Sequence, residues 1–276
     1  MKRIKNQQCN ALVVSDFSAV GRCSLTAALP ILSALGVCPC AVPTALLSSQ
    51  TGGISDYSFL DLSDQLPLFQ KHWKSLGLSF DGAFTGYFAG KQQIEAITEF
   101  LSAFPTPLLV VDPIMADDGK FYDGFDQTFV QAIKPLCAKA DFLLPNLTEA
   151  CFLTDTPYRA DADKAFCERL CKKLLALGAK SVVLKGYDAG GKLGMMVADQ
   201  NGTTEITAKR IEGFYHGAGD VFGAVLYGYL LGGASLCSAA KKATKFTTRA
   251  IHCTHASGAD TRFGLQFERI LPRLLK

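Results

Sequence analysis

Short apolar runs alternate with helix-like segments over most of this chain, and this pattern constrains the fold more than any other feature. Residues 11–15, 107–113 and 181–186 are rich in valine and leucine, which is typical of strands buried on both faces of a parallel sheet. Alternating strands and helices predict an α/β fold, with a mainly parallel central sheet flanked by helices on both faces. Because no repeat or linker divides the chain, residues 1–276 are predicted to form a single domain.

The same patterns predict where each element begins and ends. Glycine and proline mark many of the boundaries, since both residues interrupt a helix. The predicted strands cover residues 11–15, 38–44, 80–87, 107–113, 141–146, 181–186, 194–199 and 203–209. The predicted helices cover residues 22–35, 92–104, 147–153, 161–177, 220–231, 236–255 and 264–275, and residues 54–79 are predicted to hold mixed helix and turn.

Composition and charge narrow the class of protein. Hydrophobic residues make up 49% of the chain and charged residues 19%, so a sizeable core is expected and disorder is not. The net charge of +3 comes without a dense Lys/Arg run, which argues against a nucleic-acid partner. No stretch approaches the ~20 apolar residues of a membrane span. Residues 1–8 lack the apolar core of a secretory leader, so the ten cysteines are expected to be reduced thiols in the cytoplasm.

A turn of small residues, Gly217-Ala218-Gly219, leads through Asp220 into an apolar helical segment. Small residues let backbone amides converge, and the first turn of a helix adds unpaired amides and a partial positive charge. Such a turn is suited to a phosphoryl group. Because a carboxylate repels phosphate, Asp220 is better explained as a base that accepts a proton from an attacking hydroxyl. Taken alone, however, the same residues are explained equally well by an acidic helix cap.

Charged residues follow several of the predicted strands. Asp112 and Lys185 each end a strand, and Glu149 begins a helix after another strand. Since ligands bind at the carboxyl edge of parallel sheets, the two acids are candidates for the magnesium side of a phosphoryl-transfer site and Lys185 for a phosphate. Asp117 is a weaker carboxylate candidate. It lies in the polar, glycine-rich segment 116–124, which is predicted to be a mobile lid.

The phosphate-binding motifs of other nucleotide folds are missing. Neither Gly-x-Gly-x-x-Gly nor Gly-x4-Gly-Lys-Ser/Thr occurs in the chain, which argues against dinucleotide-binding and P-loop folds. A polar loop ending in Gln50-Thr51-Gly52-Gly53 follows the second predicted strand. Loops in that position of a parallel sheet commonly bind small molecules.

Taken together, the motifs resemble the ribokinase superfamily and, within it, the pyridoxal kinase branch. The Asp-Pro-Ile-Met, Pro-Asn-x-x-Glu and Gly-x-Gly-Asp set carries the superfamily resemblance, and Gly86-Tyr87 with Ser15 and Thr51 carries the pyridoxal one. The matching segments, in order, are Val13-Val14-Ser15 with Gly21, Ser48-Ser49-Gln50-Thr51-Gly52, Thr85-Gly86-Tyr87, Val111-Asp112-Pro113-Ile114-Met115, Leu144-Pro145-Asn146-Leu147-Thr148-Glu149, Val183-Leu184-Lys185 and Gly217-Ala218-Gly219-Asp220-Val221-Phe222.

The resemblance implies a ribokinase-like fold and an ATP-dependent kinase that phosphorylates the 5′-hydroxymethyl group of pyridoxal, pyridoxamine or pyridoxine. It implies a homodimer that needs Mg²⁺, often with a monovalent cation. By the same resemblance, Asp220 is the base and contacts the substrate, and the amides of Gly217, Ala218 and Gly219 hold the phosphoryl group. The residues implied on the ATP–magnesium side are Asp112, Asn146, Glu149 and Lys185, and the implied metal ligands are Asp112, Glu149 and the weaker candidate Asp117. The residues implied to contact the pyridine ring are Ser15, Thr51 and Tyr87.

Two departures from the family pattern leave alternatives open. Ala218 stands where relatives often carry Thr or Val, and Gln50-Thr51-Gly52-Gly53 differs from the Asn-His-Thr common in pyridoxal kinases. The first alternative is a hydroxymethylpyrimidine kinase of thiamine synthesis, although that branch tends to carry Cys in place of Asp220. A sugar kinase lacks support, because no second glycine-rich motif stands near the N-terminus. The last alternative is a non-catalytic vitamer-binding relative, against which the retained charged residues argue.

Overall fold

The computed structural model describes residues 8–275, so the polar N-terminal segment considered above lies outside it apart from Gln8. The strands are β1 (Cys9–Ser18), β2 (Val37–Leu47), β3 (Phe59–Asp61), β4 (Gly82–Thr85), β5 (Leu109–Val111), β6 (Ala116–Asp117), β7 (Lys120–Phe121), β8 (Phe142–Leu143), β9 (Ser181–Asp188), β10 (Lys192–Asp199) and β11 (Gly202–Lys209). The helices are α1 (Ser24–Ala34), α2 (Leu66–Ser75), α3 (Lys91–Ala103), α4 (Gln127–Ala138), α5 (Leu147–Leu153), α6 (Lys164–Leu177), α7 (Ala218–Leu231) and α8 (Leu236–Ser257).

One sheet runs through the molecule, with its nine strands in the order β11-β10-β9-β8-β5-β4-β1-β2-β3. The strands from β9 across to β2 are parallel to one another. Antiparallel pairs occur only towards the two ends of this sheet, where β10 and β11 follow β9 and β3 follows β2. The mainly parallel sheet and the terminal hairpin that the sequence predicts are therefore confirmed.

Helices cover both faces of this sheet, as predicted. Leu12 and Val14 of β1 belong to the core on one face, together with side chains of α2 to α6. Their neighbours Ala11 and Val13 belong to the core on the other face, with side chains of α1, α7 and α8. Successive residues of a strand point to opposite faces, so a strand covered on both sides must be apolar throughout. This explains the continuous apolar runs that mark the strands in the sequence.

The predicted C-terminal helix over residues 264–275 is wrong. The chain forms two short 3₁₀ helices there, Thr261–Phe263 and Glu268–Arg273. Gly264 between them has a φ of 81°, which no α-helix contains. Gly264 also lies so close to Arg22 that a methyl group on it would be 2.7 Å from the Arg22 carbonyl oxygen. The contact with a distant segment therefore interrupts the helix that local apolar spacing favours.

Other differences concern short elements. Strand β3 lies within residues 54–79, and α4 occupies a stretch for which no helix was predicted. The signal for α4 was present, because the Asp126 side chain caps the helix by accepting the Thr128 amide at 2.8 Å. The predicted lid contains the hairpin of β6 and β7, and the amide of Gly119 donates to the Thr148 hydroxyl at 2.9 Å. Its opening and closing stay a prediction.

No helix within residues 8–275 combines the length and the apolar character needed to cross a membrane.

An aromatic cluster between α2 and α3 allows the packing of the core to be tested. Phe100 is fully buried and its ring lies 5.8 Å from that of Trp73, the single tryptophan of the chain. We expect Phe100→Ala to lower the free energy of unfolding by about 3–5 kcal/mol, because it removes a large buried side chain and leaves a cavity. Urea denaturation followed by Trp73 fluorescence measures this. The exposed Leu76→Ala variant is the control, and a loss as small as that of the control would contradict the packing described.

Candidate active site

The carboxyl ends of the parallel strands place several polar side chains at one edge of the sheet. Asp16 lies near the end of β1, Thr85 ends β4, and Asp112 directly follows β5. Lys185 lies in β9 next to Asn146, which follows the end of β8. Parallel strands present their carboxyl ends on the same side, so residues that are distant in the sequence meet here.

Asp112 and Lys185 form a buried ion pair at the centre of this edge. The Lys185 Nζ atom lies 2.7 Å from Asp112 Oδ2, and the two side chains are only 14% and 2% exposed. Burial favours a lower pKa for Lys185, but the charges of Asp112, Glu149 and Asp220 outweigh it, so the pKa of Lys185 is raised and the ammonium stays charged. The Nζ atom is also only 3.8 Å from where a Cβ at Gly219 would lie. Lys185 therefore carries positive charge towards the glycine turn.

The glycine turn begins helix α7, as predicted. Gly217 is the residue before the helix and has a φ of 72°, which disfavours side chains. A methyl group on Gly217 would lie 2.2 Å from the carbonyl oxygen of Arg22, so the close approach of the two backbones also requires glycine. Gly219 is exposed. The amide of Ala218 already donates to the carbonyl of Tyr215 at 3.3 Å. The amide of Gly219 is therefore the one of the predicted turn that can face an anion at the start of α7.

Asp220 lies in the first turn of α7 and is half-buried. Burial raises the pKa of its carboxyl to about 7, with the like charges of Asp16 and Asp112 acting in the same direction. The amide of Ser24 and the charge of Lys185 oppose this shift. A carboxyl group with a pKa near neutrality is suited to accept a proton at physiological pH. A solvated helix cap would need no such environment.

Asn146 and Glu149 have a structural role in addition to the one predicted. The Asn146 side chain accepts the Glu149 amide and the Glu149 carboxylate accepts the Asn146 amide, each at 2.8 Å, which is a capping box at the start of α5. Glu149 also accepts the amide of Met115, and Asn146 donates to the carbonyl of Ala116. The pair thus ties α5 to the segment after β5. Burial, and next the charge of Asp112, raise the pKa of Glu149 well above its usual value.

Two of the three predicted substrate residues, Ser15 and Tyr87, are in direct contact. The Ser15 hydroxyl accepts the Tyr87 amide at 3.1 Å and donates to Asp16 Oδ1 at 3.4 Å. Tyr87 is half-buried, and burial, followed by the charge of Asp16, raises its pKa to about 12. Thr51 is exposed on a loop whose next residue, Gly52, lies against the ring of His216 beside the glycine turn.

Sequence reasoning missed two polar residues of this edge. Asp16 is buried and accepts the Ser18 hydroxyl at 2.8 Å, and burial raises the pKa of its carboxyl. Its position at the end of an apolar run was a usable signal. Tyr122 is 41% exposed as a whole residue. The partial burial of its hydroxyl, and next the charges of Glu149, Asp117 and Asp220, raise the pKa of that hydroxyl. It was predicted only as part of the lid, and no pattern in the sequence singles it out.

The residues present fit a magnesium ion held partly by substrate phosphates. Asp112 Oδ1 is buried and has no hydrogen-bond partner within residues 8–275. Asp117 is half-buried, and its carboxylate accepts the Asp118 amide at 2.9 Å. The pKa of Asp117 is raised, and burial is the largest cause. No group of three or more metal-ligating side chains occurs in the described part of the chain. Mg²⁺ commonly takes only one or two carboxylates together with waters and phosphate oxygens, so Asp112 with Asp117 or Glu149 is sufficient.

A groove of about 760 Å³ lies between β11 and α8. Its lining includes Lys209, Ile211, Arg249 and His252. Because β11 is antiparallel to β10, and β10 to β9, β11 runs in the direction of β9. The carboxyl end of the groove therefore lies at the same edge as Lys185. No motif in the sequence indicated this groove.

Comparison with known proteins shows which family this chain belongs to. The family model described as phosphomethylpyrimidine kinase matches residues 23–263. Among solved structures, the chain resembles a Lactobacillus plantarum pyridoxal kinase with a TM-score of 0.91 and 36% identity, over 97% of each chain. It resembles a Bacteroides thetaiotaomicron protein, a candidate phosphomethylpyrimidine kinase, with a TM-score of 0.94 and 34% identity, over 98% of this chain and 95% of the other. A second crystal form of that protein contains pyridoxal.

Curated relatives include a Haemophilus influenzae hydroxymethylpyrimidine/phosphomethylpyrimidine kinase, which is 28% identical over 87% of this chain and 90% of its own length. The chain spans about half the length of other curated relatives that are bifunctional thiamine biosynthetic enzymes. The superfamily that the motifs predict is thus confirmed, whereas the relatives are divided between the two kinase branches. The chain therefore has a ribokinase-like fold and is a member of the phosphomethylpyrimidine kinase family.

Proposed function

We propose that this chain is an ATP-dependent kinase that phosphorylates the 5′-hydroxymethyl group of a B6 vitamer such as pyridoxal. The observation that carries the proposal is Asp220, a carboxyl with a pKa of about 7 in the first turn of α7, next to the amides that follow Gly217 and to the charge of Lys185. This combination supports a base facing a phosphoryl group. The pyridoxal in crystals of the Bacteroides relative supports the choice of acceptor.

In the proposed reaction, Asp220 accepts the proton of the attacking hydroxymethyl group. The amide of Gly219 donates to an oxygen of the phosphoryl group, and the Lys185 ammonium offsets the charge of the phosphoryl oxygens. Asp112, with Asp117 or Glu149, would hold Mg²⁺, which supplies positive charge to the ATP phosphates when bound. No observation on the described residues bears on a monovalent cation, which stays an expectation from the family resemblance.

On the acceptor side, Thr51 and Tyr87 are proposed to contact the pyridine ring. The aromatic ring of Tyr87 would pack against the pyridine ring. The Tyr87 hydroxyl stays protonated and able to donate because its pKa is about 12. Ser15 already bonds the Tyr87 amide and Asp16, so its role is to orient Tyr87 as much as to contact a ligand. Asp16 is proposed as an additional acceptor for polar groups of the ring.

The nucleoside end of ATP is proposed to lie in the groove between β11 and α8. Its volume of about 760 Å³ falls within the range of small-molecule sites. Basic residues dominate its charge, and the acid on its wall, Glu205, already accepts the hydroxyl of Tyr187 at 2.7 Å. The nucleoside itself is uncharged, so these basic residues would offset the charge of the phosphates attached to it.

A homodimer in the cytoplasm, with each copy as a single domain, is part of the same proposal. The ten cysteines are free thiols in the described residues, which supports a reducing compartment. Phe17, Leu46 and Leu60 are neighbours across β1, β2 and β3 and are all exposed. An exposed apolar row of this kind supports contact with a second copy.

A second candidate function is the phosphorylation of hydroxymethylpyrimidine, which the family description and the Haemophilus relative favour. A panel of pyridoxal, pyridoxamine, pyridoxine, hydroxymethylpyrimidine and ribose, each with Mg-ATP, separates the two. We expect a B6 vitamer to have the highest kcat/KM, because Asp220 stands where the pyrimidine branch tends to carry Cys. A higher value for hydroxymethylpyrimidine would overturn the vitamer assignment, and turnover of ribose alone would overturn both.

Replacement of Asp220 tests the base. Asp220→Asn keeps the shape of the side chain but cannot accept the proton, so we expect kcat to fall on the order of 10²–10⁴. The affinity for ATP should change little, and circular dichroism should show an intact fold. Glu99→Gln, an exposed acid on α3, is the control for the loss of one charge. Near-normal turnover by Asp220→Asn would remove Asp220 from the chemistry.

The pH dependence tests the environment of that base. Because the carboxylate is the active form and its pKa is about 7, we expect kcat/KM to fall about tenfold per pH unit below that value and to level off above it. The charge of Asp16 raises the pKa of Asp220, so Asp16→Asn should move the limb to lower pH. Initial rates across neutral pH measure both. A limb that stays in place or moves upward in Asp16→Asn would contradict the proposed coupling.

A further inference from the structure

His216 precedes the glycine turn and lies directly on the loop that carries Thr51. A methyl group on Gly52 would be 2.2 Å from both Cε1 and Nδ1 of the His216 ring. The φ of Gly52 is not in the left-handed region, so its backbone would accept alanine. The obstacle to a side chain at this position is therefore chiefly the imidazole ring. His216 is half-buried and its ring also packs against Phe214, with ring centroids 4.6 Å apart.

The same loop is bound from a second side. The Gln50 side chain accepts the amide of Gly52 at 2.7 Å and donates to its carbonyl at 2.8 Å. Gln50 also donates to the carbonyl of Arg262. In turn, Arg262 Nη1 donates to the carbonyl of Gly53 at 3.4 Å. The loop is thus held between His216 and the first C-terminal 3₁₀ helix.

The C-terminal segment also supports the glycine turn. The amide of Arg22 donates to the carbonyl of Phe263 at 3.2 Å, and the next residue, Gly264, also contacts Arg22. Gly217 lies against the carbonyl of Arg22. A single set of contacts therefore connects the Thr51 loop and the phosphoryl turn, although neither loop adjoins the other in the sequence.

We propose that His216 is a positioning residue that holds the Thr51 loop in register with the glycine turn, with Arg262 as the second support. This rests on the proposed function, in which Thr51 contacts the acceptor and the glycine turn holds the phosphoryl group. His216 touches neither the proton nor the phosphorus. It sets the distance between the acceptor hydroxyl and the phosphoryl group, to which transfer rates are sensitive.

A double-mutant cycle tests the contact through activity. His216→Ala removes the ring, and Gly52→Ala displaces it, so each should lower kcat/KM for the vitamer by on the order of 10- to 100-fold with little change in the KM for ATP. The double variant should be no worse than the more impaired single variant, because both changes break one contact. His72→Ala, an exposed histidine on α2, is the matched control. Multiplied losses, or an equal rise in both KM values, would overturn the proposal.

Hydrogen exchange of the ligand-free protein tests the same contact without activity. Peptides that cover residues 50–58 should exchange about tenfold faster in His216→Ala than in the wild type, while peptides of β5 should be unchanged. His216→Gln, which keeps bulk at this position, should give an intermediate rate and guards against a variant that fails to fold. Unchanged exchange in both variants would overturn the proposal. If the wild type phosphorylates none of the panel, the proposed function fails, yet the exchange result still decides whether His216 holds the loop.

Discussion

The buried ion pair between Asp112 and Lys185 is the interaction on which the rest of the site depends. It joins the residue after β5 to β9, which lies on the far side of β8 in the sheet, at 2.7 Å in a region almost closed to water. Removing one charge of such a pair leaves the other buried without a partner, which costs about 3–5 kcal/mol. The pair leaves Oδ1 of Asp112 without a hydrogen-bond partner among residues 8–275, and it places the ammonium close to Gly219. A structural bond therefore also supplies the charge that a phosphoryl group needs.

The acids near this pair, Glu149, Asp220 and Asp16, have different roles because their surroundings differ. Glu149 is bonded by two backbone amides and holds α5 against the segment after β5. Asp220 is half-buried among like charges, and its pKa of about 7 leaves it poised between its two protonation states at neutral pH. Asp16 contributes to that shift while it binds Ser15 and Ser18. Glu149 is held by amides of two segments and is therefore structural, whereas Asp220 is a candidate base because burial, with the charges of Asp16 and Asp112, brings its pKa near neutrality.

Much of the fold and part of the site could be predicted from the sequence. Continuous apolar runs predict buried parallel strands, and parallel strands place their carboxyl ends together, so Asp112 and Lys185 could be assigned to one edge before the structure was known. The C-terminal helix could not be predicted correctly, because Gly264 is required by contact with Arg22. Tyr122 and His216 were missed for a similar reason: their importance depends on which distant groups surround them.

The sequence by itself determined the α/β class, the order of the longer strands along the chain, and the glycine turn with its acid, because these follow from apolar periodicity and from the backbone freedom of glycine. Only the tertiary structure decided the pKa of Asp220, the use of Asn146 and Glu149 as a capping box, and the contact of His216 with Gly52. Burial, electrostatic fields and close approach arise between segments that are far apart in the chain. They exist only once the sheet has brought those segments to the same edge.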